Sequence, residues 1–431
     1  MTIATDVRPD QLQALQRALE RVDRKVRRNG GIFRAINANR PHVHLARWVL
    51  LMPQEGVDGH LFTAQLIYAA DVDLGEEPHL ALLVRHRHDR LDDTDVDVLH
   101  AIYRHTADYA GPLSDTAMID HLNRKQIKAQ TSYVNKIGRT VEQVWREERL
   151  RARIEGFLDS QPWAGMNATD VRVAIRDFVQ SNDDLRWALQ ADEQPHPVVS
   201  AFQKRLRRLI ELGVHGLERL GRSPLVPAFP NIEAADELER DGQADIGRVP
   251  PATIEGIDER DNHGAAQSPF SVVGEVRPGF GQVALTRIAL GATDFGARYL
   301  FGDSDLAGVK SIHFARWVFV EENRVMFCST YDGSMENYMS DFVDKVSWGL
   351  NFTFGRGVGF PPTVAGVLRG AEHELKFRQV LRKGQIPAPT LVWYSAYPQV
   401  TALNLKTNHE IREGLVGEMN EAAARAWLRN L

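Results

Sequence analysis

His44-Leu45-Ala46-Arg47-Trp48-Val49-Leu50-Leu51 and His313-Phe314-Ala315-Arg316-Trp317-Val318-Phe319-Val320 are two versions of one pattern. Five of the eight positions are identical, the rare tryptophan included, and the substituted ones stay apolar. A short turn follows each copy, Pro53 to Gly59 in the first and Glu321 to Asn323 in the second. A second apolar run then follows, Leu61 to Ala70 or Arg324 to Tyr331. Runs rich in Val, Phe and Leu on both sides of a turn predict a β-hairpin. The chain is therefore expected to hold the same hairpin twice, through internal duplication.

Working outward from the second copy, Phe270 to Val276 predicts a strand, and Pro278-Gly279 leads into an apolar helix from Gln282 to Phe301. After the hairpin, Asp332-Gly333-Ser334 opens a helix from Met335 to Leu350, and Thr390 to Tyr397 is a last strand stopped by Pro398. The order β-α-β-β-α-β is the split βαβ or ferredoxin-like unit, with Thr363 to Arg382 as a helical insertion. The first copy begins with Leu12, Leu15, Leu19, Val22 and Val26 at helical spacing, a basic turn at Lys25 to Arg28 and a stop at Gly30-Gly31. The hairpin 42–70, an apolar run His79 to Val84 and a helix from Asp92 to Tyr109 complete it.

Between the copies, Ser114 to Leu220 reads as helical throughout, with a capping box at Thr140-Val141-Glu142-Gln143 and a further start at Ser181-Asn182-Asp183. Ser223 to Gly281 is rich in Pro, Gly, Asp and Glu and reads as a linker or a mobile loop. The expected organisation is a first unit over 1–113, a helical region over 114–222, an acidic linker over 223–269 and a second unit over 270–431. The fold class is α+β, two ferredoxin-like units packed sheet to sheet with a helical insertion between them.

The chain has 52 basic and 57 acidic residues, and a net charge of -5 argues against a nucleic-acid partner. Its single cysteine, Cys328, excludes an internal disulfide framework and any multi-cysteine metal site. The most apolar long window, Val283 to Phe301, is broken by Arg287, Asp294 and Arg298, so no membrane-spanning helix is expected and a cytoplasmic location follows. Basic runs on the middle helices, Arg146 to Arg153 and Lys204 to Arg208, read as solvated faces, with contact to an anionic membrane surface as the minority reading. A homo-oligomer stays open.

Side chains alternate across a strand, so Arg47 and Arg316 each sit among apolar neighbours and each needs a partner. One reading is a structural pair made twice; the other is that an arginine holds an anionic ligand group. His44 and His313 carry the same two readings. Asp332 is either a turn and cap residue beside Gly333 or an acid–base carboxylate, and the sequence offers no counterpart after the first hairpin. Trp348, Phe352, Phe354 and Phe360 surround Gly355-Arg356-Gly357-Val358-Gly359, which lacks a phosphate-loop pattern and reads as a loop beside a cavity. The His-x-His pairs at His42/His44 and His86/His88 lack further ligands by spacing, and no metal is expected.

Two fused ferredoxin-like units resemble the dimeric α/β-barrel superfamily, in which dye-decolourising peroxidases and chlorite dismutases bind haem. The resemblance covers about residues 1–109 and 270–410. Ser329-Thr330-Tyr331-Asp332-Gly333 is similar to the peroxidases' Gly-x-x-Asp-Gly, with serine at the first glycine and in the second unit rather than the first. The strand also resembles that of uncharacterised bacterial proteins with His-Phe-Ala-Arg-Trp. The resemblance implies a haem-dependent oxidoreductase with Asp332 and Arg316 or Arg356 on the reacting side. His313 or His409 would then hold the iron, while His373 looks solvated. The alternative is a cofactor-free protein binding a small apolar or anionic molecule, a lipid or a membrane surface, with Arg47, Tyr331, Trp348 and Phe360 as the binding residues.

Overall fold

The computed structural model describes residues 1–88, 97–135, 138–191, scattered residues between 205 and 216, 265–299, 306, 308–364, 366–387 and 390–431. Most of the expected linker therefore lies outside the described residues. The first half runs β1 (Thr2–Asp6), α1 (Leu12–Asn29), α2 (Gly31–Asn39), β2 (Val43–Leu51), β3 (Gln65–Val72), α3 (Glu76–Arg85), α4 (Val98–Tyr103) and α5 (Asp115–Arg124). Then come β4 (Thr131–Val134), α6 (Val141–Asp159) and α7 (Ala168–Ser181). The second half runs β5 (Gln267–Glu275), α8 (Phe280–Tyr299), β6 (Ile312–Phe319), β7 (Arg324–Asp332), α9 (Met335–Phe354), α10 (Glu374–Gly384) and β8 (Leu391–Ser395), ending with α11 (Ala402–Glu413) and α12 (Glu421–Trp427).

The fold is α+β, with two four-stranded antiparallel sheets ordered β1-β3-β2-β8 and β4-β6-β7-β5. Each sheet takes one strand from the other half. The chain enters beside β1, with Ala4 N donating to Lys125 O at 3.0 Å and Ile127 N to Thr2 O at 2.9 Å, and continues into β4 on the second sheet. The return crossing starts beside β5, where Ile386 N donates to Ser271 O at 2.9 Å, and runs into β8 on the first sheet. The region 114–222 is thus not helical throughout: Thr-Ser-Tyr-Val at β4 is too short to alternate visibly and is held by its pairing with β6.

Other boundaries moved for local reasons. Strand β1 was missed because five residues, Thr-Ile-Ala-Thr-Asp, carry too weak a pattern. The apolar run His79 to Val84 lies inside helix α3. Ser181 ends α7 instead of opening a helix, and Asn182 is its C-cap. Thr140 does cap α6, accepting from Gln143 N at 3.1 Å. The segment 363–382 is only partly helical, since Thr363–Val364 and Leu368–Arg369 pair as a two-residue ribbon before α10.

Each sheet has a helix-facing side and a side turned to the other sheet. In the first half Trp48, Tyr68, Phe33 and Tyr103 pack under α1 to α4, each no more than 1% exposed. Between the sheets, Val49, Leu51 and Ile67 meet Val318, Val320, Met326 and Cys328. Two arginines cross this apolar layer. Arg47 Nη1 donates to Phe270 O and Ser271 Oγ at 2.9 and 3.1 Å, and Nη2 to Ser329 O and Thr330 Oγ1 at 3.1 and 2.9 Å. Arg316 Nη1 donates to Met1 O and Thr2 Oγ1, and Nη2 to Ala70 O and the Asp71 carboxylate. The four acceptors occupy matching positions on the opposite sheet in both cases. A planar fork suits this arrangement and an ammonium does not. Arg47→Ala is expected to cost about 3 kcal/mol, with Arg47→Lys recovering less than half of it; urea denaturation of both variants measures this.

A buried chain of hydrogen bonds fixes the first half's helices. His42 Nδ1 faces Arg40 O at 2.7 Å, His42 Nε2 faces His79 Nδ1 at 3.1 Å, and His79 Nε2 faces the Tyr68 hydroxyl at 2.9 Å. The carbonyl accepts, so His42 is protonated on Nδ1, His79 on Nδ1, and Tyr68 donates: every link is settled with both rings neutral. Burial, reinforced by His42, pushes His79 down to about 3 from 6.5. Below pH 6.5 the unfolded chain takes up a proton that the folded chain refuses until about 3, so stability falls through that window as acid is added. The stability advantage of the native chain over His79→Gln is expected to shrink steadily from pH 6.5 toward pH 3 in denaturant titrations.

Candidate functional site

A large opening lies on the helix-facing side of the second sheet. It is a cavity of about 550 Å³ whose walls include Trp317, Phe327, Tyr338, Phe342, Trp348 and Phe295. Among the described residues no charged side chain lines it. Its origin is a difference in side-chain volume. Helix α1 buries Leu15, Leu19, Val22 and Val26 against the first sheet. Helix α8, which occupies the same place in the order of elements, buries Thr286, Ala289, Leu290 and Ala297. Its larger residues Leu285, Ile288, Phe295 and Tyr299 are exposed instead. Small residues under a helix leave space that a tight core would fill. Helix α9 bends at Val346 (φ −138°, ψ 26°), itself part of the lining.

Of the sequence-derived residues, Trp348 lines the cavity directly. Tyr331 stands one ring behind the wall, stacked on Tyr338 at 4.1 Å. Phe360 lines a smaller adjoining void of about 80 Å³ together with Trp317, Phe327, Gly357 and Val358, so the glycine-rich loop does border an opening. Tyr338 donates to Ser329 Oγ at 2.9 Å, and burial raises its phenol far above the usual range, so it stays neutral. Trp317, Phe327, Met339 and Phe342 were not singled out as site residues. The available signal was the run of Gly and Ala in 289–297, which marks a helix that fills little space.

The remaining candidates sit elsewhere. Arg47 and Arg316 lie between the sheets with their donors directed at protein acceptors, on the opposite side from the cavity. Arg356 follows α9 and accepts from Arg277 N through its carbonyl at 3.1 Å. His313 Nε2 faces Asp332 Oδ1 at 2.7 Å, and Asp332 Oδ2 accepts from Ala402 N at 2.7 Å, at the start of α11. The expected asymmetry at Asp332 is absent. His44 Nε2 faces Asp73 Oδ1 at 2.7 Å, and Asp73 Oδ2 accepts from Val141 N at 2.8 Å, at the start of α6. Asp73 was overlooked because it follows Val72 without the Asp-Gly-Ser signal. His44 Nδ1 also meets the Tyr397 hydroxyl at 2.7 Å, whereas His313 Nδ1 is buried with no partner among the described residues. His409, on α11, lies between Glu147 at 3.6 Å and Glu413 at 3.1 Å.

Haem requires an axial ligand, usually His, Cys, Met or Tyr, and cations for its propionates. Among the described residues the cavity wall offers no His, Cys, Lys or Arg; its Tyr338 is a neutral phenol engaged with Ser329, and its Met339 has no histidine across the space to share an iron with. His313 and His409 line no part of the cavity. The residues do not fit a haem. Among the described residues there is no group of three or more His, Cys, Asp or Glu side chains able to hold a metal ion, and no helix is long and apolar enough to cross a membrane.

Compared with known proteins, the chain matches no family model, no curated protein and no solved structure. The function must be read from the site itself. The matched His–Asp–helix junctions act as struts: each carboxylate joins a strand to the first turn of a helix from the crossing segment. Asp73→Ala and Asp332→Ala are each expected to cost about 2 kcal/mol, by similar amounts, in urea titrations. A loss confined to Asp332→Ala would mark it as more than a strut.

Proposed function

We propose that the chain is a duplicated ferredoxin-like protein of the dimeric α/β-barrel type that binds one apolar small molecule without a cofactor, in the second half alone. The duplication rests on paired detail: the two hairpins, the two arginine forks with matching acceptors, and the two His–Asp junctions. The crossing segments 125–127 and 385–386, each beside the first strand of its own half, give the strand neighbours that a ferredoxin-like unit requires.

One observation carries the binding reading. Two halves with the same strand framework differ in that the first is filled by Leu15, Leu19 and Val22 while the second keeps about 550 Å³ open over small residues of α8. Apolar space of that size is characteristic of ligand sites rather than packing defects. Leu285, Ile288 and Phe295 extend an apolar stripe along α8 to the lining itself, which gives an apolar molecule a route to the opening. Among the described lining residues the haem-dependent oxidoreductase reading finds no histidine or cysteine for iron and no cation for a propionate, so the cofactor-free reading is preferred.

Pyrene, followed by its fluorescence, is expected to bind at about one equivalent per chain. Ala297→Phe, which puts a ring into the space, is expected to weaken that binding at least tenfold or so while raising thermal stability of the free protein, because it fills a void. Binding that is unaffected by Ala297→Phe and by a second filling variant, Thr353→Phe, would refute the assignment.

A further inference from the structure

We infer that the molecule held in this cavity is neutral and carries a hydrogen-bond acceptor, such as a ketone, ester or amide oxygen, that takes the Nε1–H of Trp317. The inference rests on the cavity being a ligand site and adds the chemical class of its occupant and the residue that orients it.

The two repeated tryptophans supply the comparison. Trp48 is fully buried and its Nε1–H donates to the Tyr103 hydroxyl of α4 at 3.4 Å. Trp317 occupies the matching place on β6, 7% exposed, with its ring 4.4 Å from Phe327 and 5.8 Å from Phe354. Its Nε1 is buried and has no hydrogen-bond partner among the described residues. A buried indole N–H normally finds an acceptor, and leaving one unmet is costly. Here the ring forms part of the walls of both the large cavity and the adjoining void. In the half whose core is filled the donor is met by protein; in the open half it lies just beneath the cavity wall with no protein acceptor among the described residues, and a turn of the indole ring brings it to an occupant.

The other polar groups of the wall narrow the class. Thr293 Oγ1 donates to Ala289 O at 2.9 Å, Thr353 Oγ1 to Gly349 O at 2.8 Å, and Tyr338 to Ser329 at 2.9 Å. These hydroxyl protons are spent inside the protein. With no cationic side chain among the described lining residues, a carboxylate or phosphate would enter without compensation for its lost hydration. A neutral oxygen on an otherwise hydrocarbon body fits both facts.

Three probes of similar shape separate the terms: 1-acetylpyrene, 1-ethylpyrene and 1-pyrenecarboxylate, titrated by fluorescence into the full chain. The ketone is expected to bind about fivefold more tightly than the ethyl compound, the usual worth of one hydrogen bond, and the carboxylate more weakly than either. In Trp317→Phe the preference for ketone over ethyl is expected to vanish, while Trp48→Phe keeps it. Independently of any variant, 15N-labelled indole spectra should show one Trp N–H resonance, assigned to Trp317, moving with the ketone and staying with 1-ethylpyrene. Equal binding of ketone and ethyl compound with an unmoved Trp317 resonance would overturn the inference and leave the cavity as a ligand site. Binding of neither would overturn both.

Discussion

Two buried guanidinium groups hold the sheets face to face, and each directs both terminal nitrogens to the sheet it does not belong to. Arg47 ends on Phe270, Ser271, Ser329 and Thr330, and Arg316 on Met1, Thr2, Ala70 and Asp71. A charge in an apolar layer needs acceptors for its donors, so the two forks, each holding four acceptors through its terminal nitrogens, favour one register between the sheets over slipped ones. The crossing strands β4 and β8 then join the sheets at their edges, and Asp73 and Asp332 fasten the helices that follow those strands. Asp71 on one side is matched by Thr330 on the other, so one fork includes an ion pair and the other relies on carbonyls and hydroxyls.

With the framework fixed twice, the halves are free to differ in what lies over the outer face of each sheet. Leu and Val on α1 close the first half, and the exchange of large for small residues on α8 opens the second. The change costs dispersion contacts and apolar burial, a cost that the proposed apolar ligand would offset by mass action. Phe327 in place of Tyr68 points the same way: Tyr68 serves the His79 and His42 chain, and the second half, with phenylalanine there, has no hydroxyl at that position.

Much of this was legible in the chain. The repeated His-x-x-Arg-Trp strand gave the hairpins, and the alternation of a strand placed Arg47 and Arg316 on the face opposite Trp48 and Trp317. The partners of those arginines were not legible, because they are carbonyls and hydroxyls of a distant sheet and carry no local signal. The same holds for β1 and β4, which are short and depend on pairing across the chain, and for Asp73, whose role follows from a helix start nearly seventy residues away. Aromatic residues around Phe354 did indicate an opening. What defines its shape, the small residues of α8, is an absence of volume that composition records only weakly.

The two halves share a strand order, an arginine fork and a His–Asp junction, and among the described residues the apolar space of about 550 Å³ lies beside Trp317 and not beside Trp48. Diffraction from a crystal of the full chain pressurised with xenon tests it most directly, since xenon enters dry apolar cavities and leaves filled cores empty. The account predicts xenon between β6, β7 and helices α8 and α9, beside Trp317 and Phe342, with no matching site beside Trp48. Xenon in both halves, or none next to Trp317 with the space closed by side chains or by a rotated α8, would contradict it.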